Sequence, residues 1–377
     1  MRGMIKKRGT KWNVVLDEGR DENGRRQRRW YSGFRTKRDA QARLTELLGA
    51  IQTHTYTSPT KLTVATFLEQ WLAARKAQVR ASTWHGYRKN AHAYIVPALG
   101  SLALQSVTPQ RINAFYAALL ASGRRDGSAL SARTVRGVHM LLRRALADAV
   151  RWRQLTINPA DQADPPRAIN VEMRTWTPGE LREFLAYVRD DRLYALWMLA
   201  ATTGLRRAEV LGLRWRDLAL DAATLAVTQT LNDVGHKLII GEPKTAAGKR
   251  VVALDQVTIA ALREHRKRQL EERLAFGAGF NDGDLVFVRE DGAPIHPAWL
   301  TRAFGQRVKA AGAPVIRLHD LRHTSASLAL AAGIHPKVVS ERLGHANVSI
   351  TLNTYSHTVP AMQQDAAEKV AAIVFGR

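Results

Sequence analysis

The sequence contains no cysteine, which excludes disulfides, thiolate metal sites and cysteine nucleophiles. It also lacks a long hydrophobic run, because its longest strongly apolar stretch, residues 193–205, is too short to span a bilayer. The N-terminus carries positive charge but no apolar segment follows it. We therefore expect no secretory signal and a cytoplasmic protein.

Acidic residues are scarce beside basic ones, with 33 Asp and Glu against 57 Lys and Arg and a formal net charge of +24. Such an excess repels itself unless a polyanion accepts it. Nucleic acid is the expected partner, and an anionic membrane surface is the alternative. A length of 377 residues, 45% of them hydrophobic, predicts two or three globular domains.

Residues 1–58 are predicted to form a small sheet plus one helix. Strands over 11–18 and 25–31, joined by a turn over 21–24, make a basic hairpin, and a helix begins near Thr36. Four arginines on the open face of this hairpin, beside Trp30 and Tyr31, are candidate DNA contacts: Arg25, Arg26, Arg28 and Arg29. A merely solvated basic face is the alternative.

Residues 59–165 are predicted to form a module of four helices with Ser82, Thr108 and Ser131 as N-caps. Basic side chains left on its outer faces are candidate duplex contacts: Arg88, Lys89, Arg133 and Arg136. The proline-bearing stretch 158–171 is typical of a linker, which we place at 166–176.

A capping box at 177–180 opens a third region that extends to residue 377. Predicted strands over 223–228, 237–240 and 250–254 lie among helices there, which indicates an α+β domain. The predicted fold class is therefore mixed and mainly α: a small N-terminal β-hairpin plus helix, a helical domain and an α+β domain.

This third region carries four short motifs in order. They are Thr203-Gly204-Leu205-Arg206-Arg207-Ala208-Glu209, Pro243-Lys244-Thr245, His319-Asp320-Leu321-Arg322-His323, and Leu343-Gly344-His345 leading to Tyr355. Together they resemble the catalytic domain of tyrosine site-specific recombinases of the phage-integrase type, in which the corresponding residues follow one another in this order. The two preceding regions resemble the arm-binding and core-binding domains of the same family.

The resemblance implies that Tyr355 is a nucleophile that attacks a DNA phosphate, giving a 3′-phosphotyrosyl bond and a free 5′-hydroxyl. Arg206 and Arg322 can each offer forked donors to the phosphate oxygens, and His345 can add a third donor. Because a phenol is almost wholly protonated at pH 7, the nucleophile needs a base, for which His319 is the candidate.

Lys244, in a predicted turn between strands, is the candidate general acid for the leaving 5′-oxygen, and Lys249 is its rival in the same loop. Glu209 lies three residues after Arg206, close enough for an ion pair that orients the guanidinium. His323 follows His319 by four residues, a spacing that alone would also fit a metal site on one helix face.

The resemblance further implies a recombinase that integrates or excises a phage or mobile element in a bacterial host cell, acting as a homotetramer on double-stranded attachment sites. It implies no membrane partner and neither ATP nor metal as cofactor, and the sequence has no nucleotide-binding P-loop motif. An accessory DNA-bending protein and an excision factor are further candidate partners.

An apolar stripe after residue 359 predicts a tail helix that packs on its own domain or on a neighbouring protomer. Three other functions fit parts of the sequence: a non-catalytic DNA-binding regulator or architectural protein, a metal hydrolase built on His319 and His323, and a topoisomerase with the same tyrosine chemistry.

Overall fold

The computed structural model describes residues 3–20, 24–53, 56–168, 173–355 and 359–376, and side chains throughout these ranges except 359–366. The chain divides into two compact units, Met1–Asn170 and Val171–Arg377. Among the described residues, no helix combines the length and apolarity needed to cross a membrane.

The first unit begins with a three-stranded antiparallel sheet in the order β1-β2-β3. Its elements are β1 (Gly3–Arg8), β2 (Lys11–Arg20), β3 (Arg26–Phe34) and the helix α1 (Lys37–Gln52). The two predicted strands and the helix N-cap are confirmed, since Thr36 Oγ1 accepts a hydrogen bond from Asp39 N at 3.1 Å. Strand β1 was not predicted, and the predicted turn at 21–24 lies largely outside the described residues.

The basic residues of β3 do not share one face, because successive side chains of a strand point to opposite sides. Arg28 and Trp30 are exposed on the open face. Arg29 instead donates from Nε to Glu18 Oε1 at 2.8 Å, and Tyr31 packs against the α1 side of the sheet. The prediction that the hairpin arginines and both aromatic residues lie together was therefore wrong.

A helical module follows within the same unit. It consists of α2 (Val64–Arg75), α3 (Ala81–Asn90), a π-helical turn (Ala91–Ile95), α4 (Val96–Leu99), α5 (Pro109–Ser122) and α6 (Ala132–Arg151). Because α3, the π turn and α4 run on without a break, the module has four long helices, as predicted. Thr108 and Ser131 are N-caps, but Ser82 is not, since α3 already begins at Ala81.

Part of the proline-bearing stretch is packed onto the helical module. Asn158 Nδ2 donates to Arg143 O at 3.0 Å, and Pro159 and Ala160 are buried. At the other end, Trp176 is 2% exposed, and its indole Nε1 donates to Pro314 O at 2.8 Å inside the second unit. These residues therefore belong to the packed domains on either side.

The second unit is α+β, with the predicted capping box at Thr177 present. Its helices are α7 (Pro178–Tyr187), α8 (Tyr194–Thr203), α9 (Arg207–Gly212), α10 (Gln256–Phe276), α11 (Pro297–Ala310), α12 (Asp320–Ala331), α13 (Pro336–Leu343), α14 (Val348–Thr354) and α15 (Val359–Phe375). Its strands are β4 (Leu218–Ala219), β5 (Thr224–Val227), β6 (Thr230–Val234), β7 (Lys237–Gly241) and β8 (Arg250–Ala253).

Strands β4, β5 and β8 form one antiparallel sheet, and β6 pairs with β7 in a separate hairpin. The three predicted strands are confirmed as β5, β7 and β8, whereas β4 and β6 were not predicted. Helix α8 is buried on nearly every side, which makes it the central helix of this core. Its C-terminal end, at Thr203 and Gly204, forms the beginning of the first of the four sequence motifs.

Candidate active site

Arg322, on α12, is held from two sides in the interior. Its side chain donates from Nη1 to Gly204 O at 2.8 Å and from Nη2 to Leu343 O at 2.7 Å. Burial, reinforced by the nearby charge of Arg206, lowers the pKa of Arg322 to about 9, so the group remains a cation at pH 7. Two carbonyl contacts leave three of its five N–H donors for a ligand.

Arg206 stands immediately before α9, after a tight turn at Gly204. Gly204 has φ +65°, and a Cβ there would lie 2.7 Å from Leu343 Cδ2, so glycine is required. Arg206 donates from Nη1 to Glu209 Oε1 at 2.8 Å and from Nη2 to Gly344 O at 3.3 Å. The i,i+3 ion pair expected from the sequence therefore forms.

Glu209 is 3% exposed and also binds a second arginine, Arg250 at the start of β8. Arg250 donates from Nη1 to Glu209 Oε1 at 3.2 Å and from Nη2 to Glu209 Oε2 at 3.0 Å. Burial alone would raise the pKa of Glu209, but its hydrogen bonds with Arg250 and the charges of both arginines hold that pKa below its usual value. Arg250 is not among the site residues expected from the sequence.

Three histidines lie beside these arginines. The rings of His319 and His323 meet edge to face with centroids 4.9 Å apart, and His345 Nδ1 lies 2.8 Å from Thr351 Oγ1. Burial and neighbouring charges lower the pKa of all three, to about 4 for His323 and His345. At pH 7 these side chains are therefore neutral.

Tyr355 is 1% exposed at the C-terminal end of α14. Its hydroxyl lies 2.7 Å from Nδ1 of His323, and burial raises the pKa of the phenol to about 12. From the sequence, the helping base was expected to be His319, and His323 was considered only as a metal ligand. Among the residues that the structure describes, the histidine in hydrogen-bond contact with the phenol is His323.

One cavity of about 340 Å³ collects most of these groups. Its walls include Arg206, His319, Arg322, His323 and His345. Residues separated by up to 139 positions in the chain thus face a common space large enough for a phosphate, with cations and hydrogen-bond donors around it.

Family comparisons agree with this arrangement. A model described as the phage integrase family matches residues 175–362, an arm DNA-binding domain matches 4–51, and a phage integrase N-terminal SAM-like domain matches 63–120. A tyrosine recombinase XerC-like protein of Caldanaerobacter subterraneus subsp. tengcongensis is 30% identical, and the alignment covers 95% of each chain. The chain belongs to the phage integrase family. It is accordingly a site-specific tyrosine recombinase.

Solved integrases share the fold of this family member. The Tn1549 transposon integrase in complex with transposon right end DNA superposes with a TM-score of 0.68 at 23% identity, over 81% of this chain and 99% of that one. A lambda integrase tetramer bound to a Holliday junction gives a TM-score of 0.57 at 16% identity, over 91% and 95%. These likenesses establish the mainly helical three-part architecture.

The candidate general acid of this integrase lies outside the cavity walls. Lys244 is exposed in the loop 242–249 between β7 and β8, and its neighbour Thr245 is a wall residue. The rival Lys249 forms an ion pair with Glu242 at 2.8 Å. Lys244 is thus next to a wall residue of the cavity in the chain, whereas the ammonium group of Lys249 is paired with Glu242.

The metal-site alternative for His319 and His323 lacks further ligands. Within the ranges that the structure describes, no group of three or more His, Cys, Asp or Glu side chains is placed to hold a metal ion.

The candidate DNA contacts of the integrase lie mainly on exposed surfaces. Exposed members are Arg25, Arg26, Arg28, Arg88, Lys89, Arg133 and Arg136. Arg26 is already paired, donating from Nε to Asp17 Oδ2 at 2.7 Å, and Arg88 lies over the Trp84 ring at 5.2 Å. Arg28 on the sheet and Arg133 and Arg136 on α6 remain the better placed candidates.

Proposed function

We propose that this integrase cuts DNA by attack of Tyr355 Oη on a scissile phosphate. The P–O5′ bond breaks as the phosphotyrosyl bond forms, leaving a 3′-phosphotyrosyl link and a free 5′-hydroxyl. The observation that carries this proposal is the cavity whose walls combine Arg206, Arg322 and His345, with the Tyr355 phenol hydrogen bonded to the wall residue His323.

In this proposal the two arginines and His345 bind the non-bridging oxygens and stabilise the charge of the pentavalent phosphorane. His323 accepts the phenol proton, with His319 packed against its ring. Lys244 donates a proton to the leaving 5′-oxygen once the loop 242–249 has moved towards the DNA. Glu209 orients Arg206 and does not touch the phosphate.

We further propose that the reaction needs neither ATP nor metal. Cationic side chains supply the charge stabilisation that metal ions supply in other phosphoryl-transfer sites. The phosphotyrosyl bond retains the energy of the broken phosphodiester, so attack by the 5′-hydroxyl of another strand reseals DNA without a nucleotide cofactor.

We assign double-stranded attachment-site DNA as the partner, bound by residues 1–58 at arm sites and by residues 59–165 and 177–377 at the core site. Support comes from the net charge of +24 and from the DNA complexes of the Tn1549 and lambda integrases. A homotetramer on a Holliday junction follows the lambda assembly. An accessory DNA-bending protein and an excision factor complete the proposed partners.

Covalent trapping tests this function. The full chain and its Tyr355→Phe variant are incubated in EDTA with nicked duplexes tiled from the DNA that flanks its gene, and products are resolved on a denaturing gel. We expect a protease-sensitive adduct from the unmodified chain alone.

Tight, salt-sensitive binding without an adduct on any tile would instead favour the DNA-binding regulator. An adduct that survives in the Tyr355→Phe variant would reassign the nucleophile. Relaxation of supercoiled DNA lacking any preferred tile would favour the topoisomerase.

A further inference from the structure

The C-terminal end of α13 connects the arginines of the cleavage site. Three consecutive backbone carbonyls there each accept a hydrogen bond from a different arginine. The pairs are Arg342 O with Arg250 Nε at 2.7 Å, Leu343 O with Arg322 Nη2 at 2.7 Å, and Gly344 O with Arg206 Nη2 at 3.3 Å. The last carbonyls of a helix lack partners within the helix and carry its negative dipole end, so they suit guanidinium groups.

Two of these arginines line the cavity, but Arg250 does not. Its side chain is 7% exposed, and four hydrogen bonds use its guanidinium: two to Glu209, one to Arg342 O and one to Gly248 O at 3.1 Å. Four of the five N–H donors of Arg250 are therefore engaged, and the side chain is not a wall of the cavity. We expect its effect on cleavage to pass through the groups that it holds.

The groups held by Arg250 are parts of the site itself. Glu209 orients the Arg206 guanidinium and also accepts from the Arg206 backbone N at 2.9 Å. The Arg342 carbonyl lies three residues before His345. Gly248 ends the short turn in the loop that carries Lys244.

We propose that Arg250 is a positioning residue for strand cleavage. Through Glu209 it fixes Arg206, and through the Arg342 carbonyl it fixes the chain that leads to His345. Through Gly248 it anchors one end of the loop 242–249, so that the phosphate-binding groups keep one geometry while the Lys244 end of the loop can move towards the DNA. This role rests on the proposed strand-cleavage function.

The contacts also explain why an arginine is needed at this position. A planar guanidinium can bind both carboxylate oxygens and still reach two backbone carbonyls, whereas an ammonium on a flexible stem offers a single point of attachment. Removing the guanidinium would leave Glu209 buried with one cation instead of two. We therefore expect Arg250→Lys to restore only part of what Arg250→Gln loses.

A double-mutant cycle separates positioning from general structural support. Single-turnover cleavage of a nicked substrate is measured for the full chain, Arg250→Gln, Arg206→Ala and the double variant, with DNA affinity and thermal midpoint measured in parallel. Misplacement of a catalytic group by about 1 Å can cost about 100-fold, so we expect Arg250→Gln to slow cleavage about 10- to 100-fold. In the Arg206→Ala background the same change should cost clearly less, because the route through Glu209 has then lost its target and only the contacts with the Arg342 and Gly248 carbonyls remain to be broken.

Arg214→Gln is the matched control. Arg214 also makes a two-pronged ion pair, donating from Nε and Nη2 to Asp217 in the same unit, but it is not a wall of the cavity. Its removal should leave the cleavage rate within about threefold. Arg250→Lys, which keeps the charge, serves if Arg250→Gln does not fold.

Equal losses from Arg250→Gln in both backgrounds, or an unchanged cleavage rate, would overturn the positioning role. A comparable loss in Arg214→Gln would also overturn it, because the effect would then be general. If the unmodified chain forms no Tyr355-dependent adduct, the proposed strand-cleavage function itself fails. That result is distinguishable from the outcomes above, which overturn only the positioning role of Arg250.

Discussion

Replacing His323 by glutamine tests which histidine takes the proton from Tyr355. His323 Nδ1 lies 2.7 Å from the phenol oxygen, and burial raises the pKa of Tyr355 to about 12. A pKa about two units above that of a free phenol means that ionising Tyr355 costs roughly 3 kcal/mol more free energy than ionising a free phenol. Only about one phenol in 100,000 would be ionised at pH 7, so direct ionisation is too rare and a base in contact is needed.

The pH profile should reveal this base. With a pKa lowered to about 4 by burial, His323 is unprotonated from about pH 5 upwards, so we expect a flat rate of adduct formation between pH 6 and pH 8, below the pKa of about 9 for Arg322. His323→Gln keeps a hydrogen-bonding side chain but cannot take the proton. We expect a loss of about 100-fold or more at pH 7 and a rate that rises about tenfold per pH unit, because attack then depends on phenolate.

The assay is single-turnover adduct formation at saturating protein and constant ionic strength. His319→Gln is the matched control, since it removes the adjacent imidazole and leaves the Tyr355 contact in place. A wild-type rate and flat profile in His323→Gln would refute the reasoning. If His319→Gln alone produced the sloping profile, the base would be His319, as expected from the sequence.

Two further predictions concern stability. Asp148 accepts hydrogen bonds from Trp71 Nε1 at 2.6 Å and from Arg75 Nε at 3.0 Å. Because Asp148→Ala should leave a buried cation without its partner, we expect it to lower the free energy of unfolding, measured in urea, by about 3–5 kcal/mol. A decrease below about 1 kcal/mol would contradict this. The folded-state pKa values of His323 and His345, near 4, lie below the unfolded value of about 6.5, so the unfolded chain binds more protons between these limits. The thermal midpoint should therefore fall as the pH drops from about 6.5 towards 4, and it should fall less steeply with pH in the His345→Gln variant. The same dependence of the midpoint on pH in that variant would count against a buried neutral His345.

Local chemistry made much of the fold predictable. Side chains at Thr108, Ser131 and Thr177 cap helices where the sequence predicts them, because a cap depends on residues within one turn. The strand at 3–8 was missed because Lys6, Lys7 and Arg8 interrupt the alternation of apolar and polar residues that predicts a strand. The strand is stabilised instead by its pairing with β2.

The face assignment of the basic hairpin failed for a simpler reason. Composition alone grouped its arginines, whereas the two-residue period of a strand separates neighbours such as Arg28 and Arg29. Arg29, which was predicted to contact DNA, instead forms an ion pair with Glu18. The net charge predicted nucleic acid as the partner, but the geometry of the strand decides which of the basic side chains can reach it.

Motif order identified candidate residues of the site but not their contacts. The spacing of His319 and His323 predicts one helix face, but only the folded chain places Tyr355 against His323. Arg250 carries no local signal in a chain with 57 basic residues. Glu209 was the related feature in the sequence, but its burial and its pairing with two arginines are seen only in the structure.

The charge balance of the site favours the binding of an anion. The charge of Arg206 lowers the pKa of Arg322, Glu209 offsets this effect only in part, and the histidines stay neutral. In the proposed mechanism, a phosphate between the two arginines would supply the missing negative charge and would raise the pKa of Arg322. Because backbone carbonyls already hold both guanidinium groups, their remaining donors need little reorganisation when the phosphate binds, which is the condition for strong electrostatic stabilisation of the transition state.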